Sequence, residues 1–302
     1  MTTTHRLREL LGRQGGPILM PGAPNALTAR VIEQAGFEAV YLSGAGLTNT
    51  YLGMPDLGLL SVTELVSHVA VMAEAVDIPL VVDADTGFGN ALNVQRTVRQ
   101  LERAGASAIQ FEDQVSPKKC GHFAGKDVIS QQEMVGKVRA AVDARLDEDL
   151  LIIARTDALS TEGLEAACER AVAYSEAGAD ILFVEAPRTR EQMDYIVRNV
   201  PGIHMANMVE GGLTPLMSRD ELGELGFGIA LYANAAMRGA VAGMRLVMDH
   251  LAKYGDTKGA ADLMISWEDR QDLVRKPEFD ELDRRYAADL PTEGISSQGS
   301  VA

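Results

Sequence analysis

The segment LERAGASAIQFED, residues 101–113, contains the pattern that decides the fold. It begins as the end of a charged helix, reaches Gly105, and continues as the short aliphatic run Ala108–Phe111, which two acids follow. Glycine often ends a helix, and a short aliphatic run is typical of a buried parallel strand. The segment therefore predicts a helix, a turn and a strand with polar groups at its C-terminal end.

The same order of helix, glycine and strand recurs along the chain, for example around Gly36, Gly178 and Gly226. Capping-box patterns that begin at Ser61 and Ser218 predict the starts of two of the helices. Strands that alternate with helices pair in parallel, and eight such units favour a closed (β/α)₈ TIM barrel. The alternative is an open doubly wound sheet, but no Gly-x-Gly-x-x-Gly follows the first strand. The eight predicted strands are Ile18–Met20, Ala39–Leu42, Leu80–Val82, Ala108–Phe111, Leu150–Ala154, Ile181–Val184, Ile203–Ala206 and Gly228–Tyr232.

The composition of the chain excludes several classes of function. A net charge of −15 over 302 residues argues against nucleic acid or an anionic membrane as a partner. It also requires that a site for an anionic substrate supply its own cations or a metal. The two cysteines are too few for a disulfide framework, and we find neither a signal peptide nor an apolar run that spans a membrane. We therefore expect a cytoplasmic protein that binds a small molecule.

The domain organisation predicted from the sequence is simple. Residues 1–256 form the barrel and catalytic domain, and residues 257–290 form a helical C-terminal extension in which Phe279 or Leu282 packs against a neighbouring subunit. Residues 291–302 are rich in Ser and Gly and are predicted to be disordered.

Polar and acidic residues occupy the C-terminal ends of the predicted strands, where the catalytic residues of a (β/α)₈ barrel lie. This concentration of polar groups indicates an enzyme. In chain order these residues are Pro21-Gly22, Ser43-Gly44-Ala45-Gly46, Asp83-Ala84-Asp85, Glu112-Asp113, Arg155-Thr156-Asp157, Glu185, Asn207 and Tyr232-Ala233-Asn234.

Three of these acids predict a metal site. Asp83 and Asp85 lie two positions apart at the end of the third strand, and Glu112 ends the fourth. Neighbouring carboxylates need a cation if all are to stay ionised, and oxygen ligands without His or Cys favour Mg²⁺ or Mn²⁺ over Zn²⁺. Because Mg²⁺ keeps some of its water, we expect few direct protein ligands. The alternative is that these acids cap the helices that follow them.

A loop after the fourth strand, residues 117–126, brings two lysines and a histidine next to Cys120. Neighbouring cations favour the thiolate, and glycines give the loop freedom to close over a ligand, which indicates a catalytic cysteine. The alternative role for Cys120 is that of a small buried hydrophobic residue. Cys168, by contrast, lies at helical spacing from Leu164 and Ala171, which predicts core packing.

Four motifs together resemble the isocitrate lyase and phosphoenolpyruvate mutase superfamily. They are Lys118-Lys119-Cys120-Gly121-His122, the segment DADTGFG at residues 83–89, Glu112-Asp113-Gln114 and the segment ARTDA at residues 154–158. The similarity runs in order from about Gly16 to Tyr254, so it covers most of the chain.

This resemblance implies a (β/α)₈ barrel whose C-terminal helices are exchanged between the subunits of a homotetramer. It implies a Mg²⁺-dependent enzyme, with Mn²⁺ as the alternative metal, in which the metal chelates the carboxylate and C2 oxygen of the substrate. Cys120 would act as the general acid, Tyr41 would handle the proton of the C2 hydroxyl, and Arg155 would contact the carboxylate or the C2 oxygen. The implied metal residues are Asp83, Asp85, Glu112 and Asp56, and the implied substrate contacts are Ser43, Gly44, Ala45, Gly121, His122, Arg155, Glu185 and Asn207.

The same residues favour one branch of the superfamily. Cys120 favours the lyases and their oxaloacetate-hydrolysing relatives over the phosphonate mutases, and the large insertion of true isocitrate lyases is absent. The sequences SGAG at residues 43–46 and NMVEGG at residues 207–212 differ from those of methylisocitrate lyases and favour a dimethylmalate lyase. Arg238 could instead bind a third carboxylate, or it could form a surface salt bridge. We therefore expect a lyase that releases pyruvate from a 2-hydroxy di- or tricarboxylate; oxaloacetate hydrolysis, mutase-type phosphonate chemistry and a non-catalytic binding role are the alternatives.

Overall fold

The computed structural model describes residues 2–119, 121 and 125–287, and in this part of the chain eight parallel strands close into a barrel. The strands pair in chain order, and the last pairs with the first, Ile18 lying opposite Ile229. The predicted (β/α)₈ TIM barrel is therefore confirmed. The strands are β1 (Ile18–Ala23), β2 (Val40–Leu42), β3 (Leu80–Asp83), β4 (Ala108–Glu112), β5 (Leu151–Thr156), β6 (Ile181–Val184), β7 (Ile203–Asn207) and β8 (Ile229–Tyr232).

The helices begin and end where local sequence signals place them. Ser61 and Ser218 form the predicted capping boxes with Glu64 and Glu221. Gly105 follows a helix with φ of 101°, and a Cβ there would collide with the side chain of Ala73, so glycine is required. The helices are α1 (Thr3–Gly12), α2 (Ala26–Gln34), α3 (Gly44–Leu47), α4 (Val62–Ala75), α5 (Ala91–Arg103), α6 (Gln131–Ala144), α7 (Leu164–Glu176), α8 (Arg190–Asn199), α9 (Arg219–Leu225), α10 (Ala235–Tyr254), α11 (Trp267–Leu273) and α12 (Lys276–Tyr286).

Alternation along the strands divides the core into two parts. Ile152 and Ala154 of β5 face the surrounding helices, whereas Ile153 between them packs inside the barrel. Leu7 and Leu10 of α1 belong to this interior cluster and close the barrel at its N-terminal end. The polar strand ends therefore lie at the opposite mouth, which is the end that a ligand can enter.

The C-terminal extension lies next to α2. Arg275 is 3.6 Å from a carboxylate oxygen of Glu33 and 3.5 Å from one of Asp77. Phe279 and Leu282 of α12 are exposed. Their contact with a neighbouring subunit stays a prediction, as do the domain boundaries, and the tail 291–302 is outside the described residues. No described helix is long and apolar enough to cross a membrane.

Candidate active site

A cavity of about 40 Å³ lies at the C-terminal mouth of the barrel. Its walls come from β2 to β8 or from the loops that follow these strands, so the cavity is where the predicted strand-end residues converge. Most of the predicted site residues line it, and Gly44, Asp85 and Glu112 each contact one that does. The lining residues are Tyr41, Ser43, Ala45, Asp56, Asp83, Lys118, Gly121, Arg155, Phe183, Glu185, Asn207, Val209, Leu231, Ala233 and Asn234.

Two acids at the end of β3 converge on one point of the site. The Gly44 N–H donates to Asp83 Oδ2 at 3.2 Å, and the Asp85 N–H donates to Asp83 Oδ1 at 3.2 Å. A Cβ added at Gly44 would lie 3.0 Å from Asp85 Oδ1 and 3.1 Å from Asp83 Oδ2. The absence of a side chain at Gly44 therefore leaves two carboxylate oxygens facing the same small space.

Lys118 is a member of the site that the sequence analysis placed only in a motif. Its Nζ is 2.6 Å from Asp56 Oδ1 and 2.9 Å from Asp85 Oδ1, and the side chain is buried. Burial raises the pKa of Asp85 to about 6, although Lys118 opposes the shift. Burial by itself would lower the pKa of Lys118, but the surrounding carboxylates outweigh it and raise that pKa well above its usual value. Lys118 is thus a permanent cation among these acids.

Glu112 is a buried acid with one oxygen that lacks a hydrogen-bond donor among the described residues. Its Oε2 is 3.3 Å from Arg155 Nε, while no hydrogen bond reaches its buried Oε1 from the described residues. Burial raises the pKa of Glu112 well above its usual range, and Arg155 only partly opposes this effect. An additional cation or a bound water is what this oxygen requires.

The oxygen donors of these acids suit Mg²⁺, the metal that the sequence predicts. Within residues 2–119, 121 and 125–287, no three or more His, Cys, Asp or Glu side chains are grouped so that they could hold a metal directly. Mg²⁺ commonly takes one or two carboxylates and keeps several waters. Asp83 and Asp85 supply converging oxygens, and Glu112 supplies an acceptor without a donor. The all-oxygen donor set therefore suits Mg²⁺, and the metal site stays a prediction.

Arg155 at the end of β5 is held by three carboxylates. Its Nε and Nη2 donate to the two oxygens of Asp157 at 2.9 and 3.1 Å, and its Nη1 is 3.2 Å from Glu185 Oε2. Burial would raise the pKa of Asp157, but Arg155 and Lys126 outweigh it and hold that pKa at about 2. The bidentate pair fixes the plane of the guanidinium, which a directional contact to a substrate requires.

A second layer of buried groups, which the sequence analysis did not assign, supports Asp157. Asp113 Oδ1 accepts a hydrogen bond from the Asp157 N–H at 2.9 Å. Asp113 Oδ2 accepts from the Thr156 hydroxyl at 2.7 Å and from the Tyr174 hydroxyl at 2.8 Å. Sequence analysis found Asp113 at a strand end, but its partner Tyr174 lies on α7, and no local signal connects the two.

Tyr41 is buried in the floor of the cavity. Its hydroxyl donates to Gln110 Oε1 at 3.0 Å, and Gln110 Nε2 donates to Asp83 Oδ1 at 3.4 Å. Burial and then the negative charge of Asp83 raise the pKa of Tyr41 well above its usual value. The phenol is therefore held in its protonated form, and its predicted role in moving the C2 proton stays a prediction.

The remaining predicted residues are placed as follows. Ser43 caps α3 and lies in the wall of the cavity, and Asn207 Nδ2 donates to Glu185 Oε2 at 3.4 Å. Arg238 lies outside the cavity wall, half exposed, and its Nη1 donates to Glu210 at 3.0 Å. It is thus a surface ion pair here, and its contact with a third carboxylate stays a prediction. Cys120 and His122 are outside the described residues, so their roles also stay predictions.

Comparison with known proteins points to one family. The family model for phosphoenolpyruvate phosphomutase matches residues 7–252. The chain is 46% identical over 287 residues to 2,3-dimethylmalate lyase of Eubacterium barkeri, covering 95% of this chain and 99% of the relative. It is 44% identical over 277 residues to 2-methylisocitrate lyase of Aeropyrum pernix, covering 92% and 89%.

Solved structures give the same result. A crystal structure of 2,3-dimethylmalate lyase, described as a PEP mutase/isocitrate lyase superfamily member, matches with a TM-score of 0.89 at 34% identity, covering 100% of this chain and 99% of that one. Oxaloacetate acetylhydrolase bound to 3,3-difluorooxalacetate matches with a TM-score of 0.88 at 33% identity, covering 94% and 97%. Phosphonopyruvate hydrolase in complex with oxalate and Mg²⁺ matches with a TM-score of 0.85 at 33% identity, covering 95% and 99%.

Proposed function

Because this chain belongs to the phosphoenolpyruvate phosphomutase family and is a carbon–carbon lyase of the PEP mutase/isocitrate lyase superfamily, we propose that it releases pyruvate from a methyl-substituted 2-hydroxy di- or tricarboxylate. The second product is a carboxylate, and the reaction depends on Mg²⁺. Of the two substrate types that the relatives' names offer, we favour the dicarboxylate type represented by 2,3-dimethylmalate.

The observation that carries this proposal is the mixed lining of the cavity. The polar side chains of Arg155 and Asp83 line it together with the apolar side chains of Phe183, Val209 and Leu231, and the Arg155 guanidinium lies 5.2 Å from the centre of the Phe183 ring. The polar groups suit a carboxylate and a C2 oxygen, while the apolar groups suit methyl groups, whose burial is favourable by about 0.8 kcal/mol for each carbon.

The number of cations in the wall favours two carboxylates over three. Among the lining residues that the structure describes, the cations are Lys118 and Arg155, and each is already paired with acids. Arg238, the candidate for a third carboxylate, is engaged with Glu210. A tricarboxylate would bring a further negative charge without a further cation, which costs free energy in a buried site.

Each step of the proposed reaction is assigned to a residue of this chain. The C2 hydroxyl loses its proton, the bond between C2 and C3 breaks, C2 becomes the carbonyl of pyruvate, and the electron pair on C3 takes up a proton. We assign the proton donor to Cys120, and Arg155 orients the substrate through its carboxylate or C2 oxygen. Tyr41 is the candidate acceptor of the C2 proton, which requires that ligand binding lower the high pKa of its phenol.

Asp83 and Asp85 would hold Mg²⁺, and Glu112 and Asp56 would hold its waters. When bound, the metal supplies positive charge to the substrate carboxylate and the C2 oxygen. The relative that is solved with Mg²⁺ and oxalate supports this proposal. Mn²⁺ has the same preference for oxygen ligands and is the alternative.

The proposal is tested by a pyruvate-release assay coupled to lactate dehydrogenase in the presence of Mg²⁺. The substrates are 2,3-dimethylmalate, 2-methylisocitrate, citramalate and isocitrate, with EDTA and Cys120→Ser as controls. We expect turnover of 2,3-dimethylmalate that both controls abolish. Turnover of 2-methylisocitrate alone would refute the dicarboxylate preference, and no pyruvate from any substrate would refute the lyase reaction.

A second candidate is hydrolysis of oxaloacetate to oxalate and acetate. It is favoured by the solved oxaloacetate acetylhydrolase, whose TM-score of 0.88 is nearly the same as that of the lyase. Formation of oxalate and acetate from oxaloacetate, with no pyruvate from the four lyase substrates, would support this candidate. Mutase-type phosphonate chemistry is less favoured because the loop contains Cys120.

We also propose that the enzyme is a cytoplasmic homotetramer whose C-terminal helices pack against neighbouring subunits. None of the described side chains of α10 is fully buried, and Met244, Met248 and Phe279 are each more than half exposed. Contiguous exposed apolar surface marks interaction sites. Light scattering should give the mass of a tetramer for the wild type and a smaller mass for Phe279→Glu; a wild-type monomer would contradict the proposal.

A further inference from the structure

We infer that Lys126 is a positioning residue, which joins the backbone of Gly121 in the cavity wall to the carboxylate that orients Arg155. This role rests on the proposed function, because it concerns how the site is completed for that reaction. Neither the metal residues nor the predicted substrate contacts include Lys126, so the mechanism above does not use it.

The contacts of Lys126 join two parts of the site. Its side chain is buried, and its Nζ donates to the carbonyl oxygen of Gly121 and, at 2.7 Å, to Asp157 Oδ1. Lys119, in the same loop, is different, because its Nζ donates to Gly125 O, which is also in the loop. Lys126 therefore joins Gly121 to the residue that follows β5, whereas Lys119 contacts a residue only six positions along the chain.

The Gly121 contact fixes the roof of the cavity. A Cβ at Gly121 would lie 2.8 Å from Glu185 Cγ and 2.9 Å from Glu185 Cδ, and it would collide with Arg155 Nη2. The backbone at Gly121 thus packs directly on two residues of the cavity wall. Because Lys126 holds the carbonyl of this residue, it determines how closely the Gly121 backbone packs against Glu185 and Arg155.

The Asp157 contact links the same lysine to Arg155. Asp157 accepts from both cations, and Asp113 holds its backbone from the other side. Removal of the Lys126 ammonium would leave the Gly121 carbonyl without this donor and would leave Asp157 with Arg155 alone. A charged hydrogen bond of this kind corresponds to about a 10- to 100-fold effect on the fraction of molecules in which Gly121 and Asp157 keep these positions.

The experiment compares Lys126→Met, Lys126→Arg and a matched control, Arg145→Met. Arg145 also forms a mostly buried ion pair, with Asp180 at 2.9 Å, but at the N-terminal end of the barrel. Two quantities are measured: kcat and KM for the substrate that the wild type turns over, and hydrogen exchange of the peptide 114–128 with oxalate and Mg²⁺ present.

We expect Lys126→Met to lower kcat by about 10- to 100-fold, with a smaller change in KM, and to speed exchange in 114–128. Lys126→Arg should restore most of kcat, and Arg145→Met should lower thermal stability while leaving kcat and the exchange of this peptide unchanged. Unchanged exchange in Lys126→Met, or an equal loss of kcat in Arg145→Met, would overturn the inference. If the wild type lacks lyase activity, the proposed function fails, and the exchange measurement still decides the role of Lys126.

Discussion

Replacement of Gly121 by alanine tests whether the observed covering of the cavity is the catalytic arrangement. The added Cβ would lie 2.8 Å from Glu185 Cγ, which is about 0.6 Å inside the 3.4 Å at which ordinary van der Waals contact begins. Glu185 and Arg155 are both buried and paired with each other, so neither side chain can move aside without loss of other contacts.

The expected fall in kcat follows from the free-energy cost of this overlap. Overpacking a well-packed position costs about 1–3 kcal/mol, and a factor of ten in rate corresponds to about 1.4 kcal/mol, so kcat should fall by about 5- to 150-fold. The strain falls on the contact between the loop and the cavity wall, because the backbone of Gly121 does not have the positive φ that disfavours alanine. The melting temperature should therefore stay within about 2 °C of the wild-type value.

The assay compares kcat and thermal unfolding of Gly121→Ala with those of Gly136→Ala. Gly136 lies within α6, and a Cβ there would meet nothing within 4 Å. The control should keep its kcat and gain up to about 1 kcal/mol of stability, since alanine favours a helix. An unchanged kcat in Gly121→Ala would contradict this prediction, and so would a melting temperature several degrees lower than that of the wild type.

Three further predictions follow from the buried charges and the thiols. Glu112→Gln should weaken Mg²⁺ binding in calorimetry by at least about tenfold without lowering the melting temperature, since burial already opposes ionisation of Glu112; unchanged affinity would contradict its metal role. The pKa of Asp157, held at about 2, lies below its unfolded value, so its ionised form stabilises the fold above about pH 4 by about 2 kcal/mol, and this contribution is lost as pH falls from about 4 to 2. The difference in urea midpoint between wild type and Asp157→Asn should accordingly be constant at neutral pH and shrink below about pH 4; a difference that persists there would be inconsistent with this sign. Burial raises the pKa of the Cys168 thiol to about 11, so iodoacetamide at about pH 8 should label Cys120 and spare Cys168 until the protein unfolds, as mass spectrometry of the peptides will show; rapid labelling of Cys168 would contradict its burial.

The fold could be predicted from the sequence because each βα unit repeats the same local signals. The eight predicted strands coincide with the observed ones to within a few residues. The larger differences lie at C-terminal ends: β1 continues through Pro21, which lies opposite Tyr232 of β8, and β5 continues through Arg155 and Thr156. In the prediction from the sequence, both strands end at the last apolar residue, whereas backbone pairing with the neighbouring strand extends them.

The site residues that lie at strand ends could be predicted from the sequence. Asp83, Arg155 and Glu185 line one cavity because parallel strands end at the same mouth. The groups that hold them were not predictable. Lys118 contacts Asp56, and Lys126 contacts Asp157. The two residues of each pair are far apart in the sequence, so no local pattern connects them.

The proposed lyase reaction can be followed directly by proton NMR of 2,3-dimethylmalate with the enzyme and Mg²⁺. Our prediction is that pyruvate and propionate accumulate in equal amounts, and that neither forms after EDTA has removed the metal. Unchanged 2,3-dimethylmalate and 2-methylisocitrate, together with conversion of oxaloacetate to oxalate and acetate by the same preparation, would contradict it.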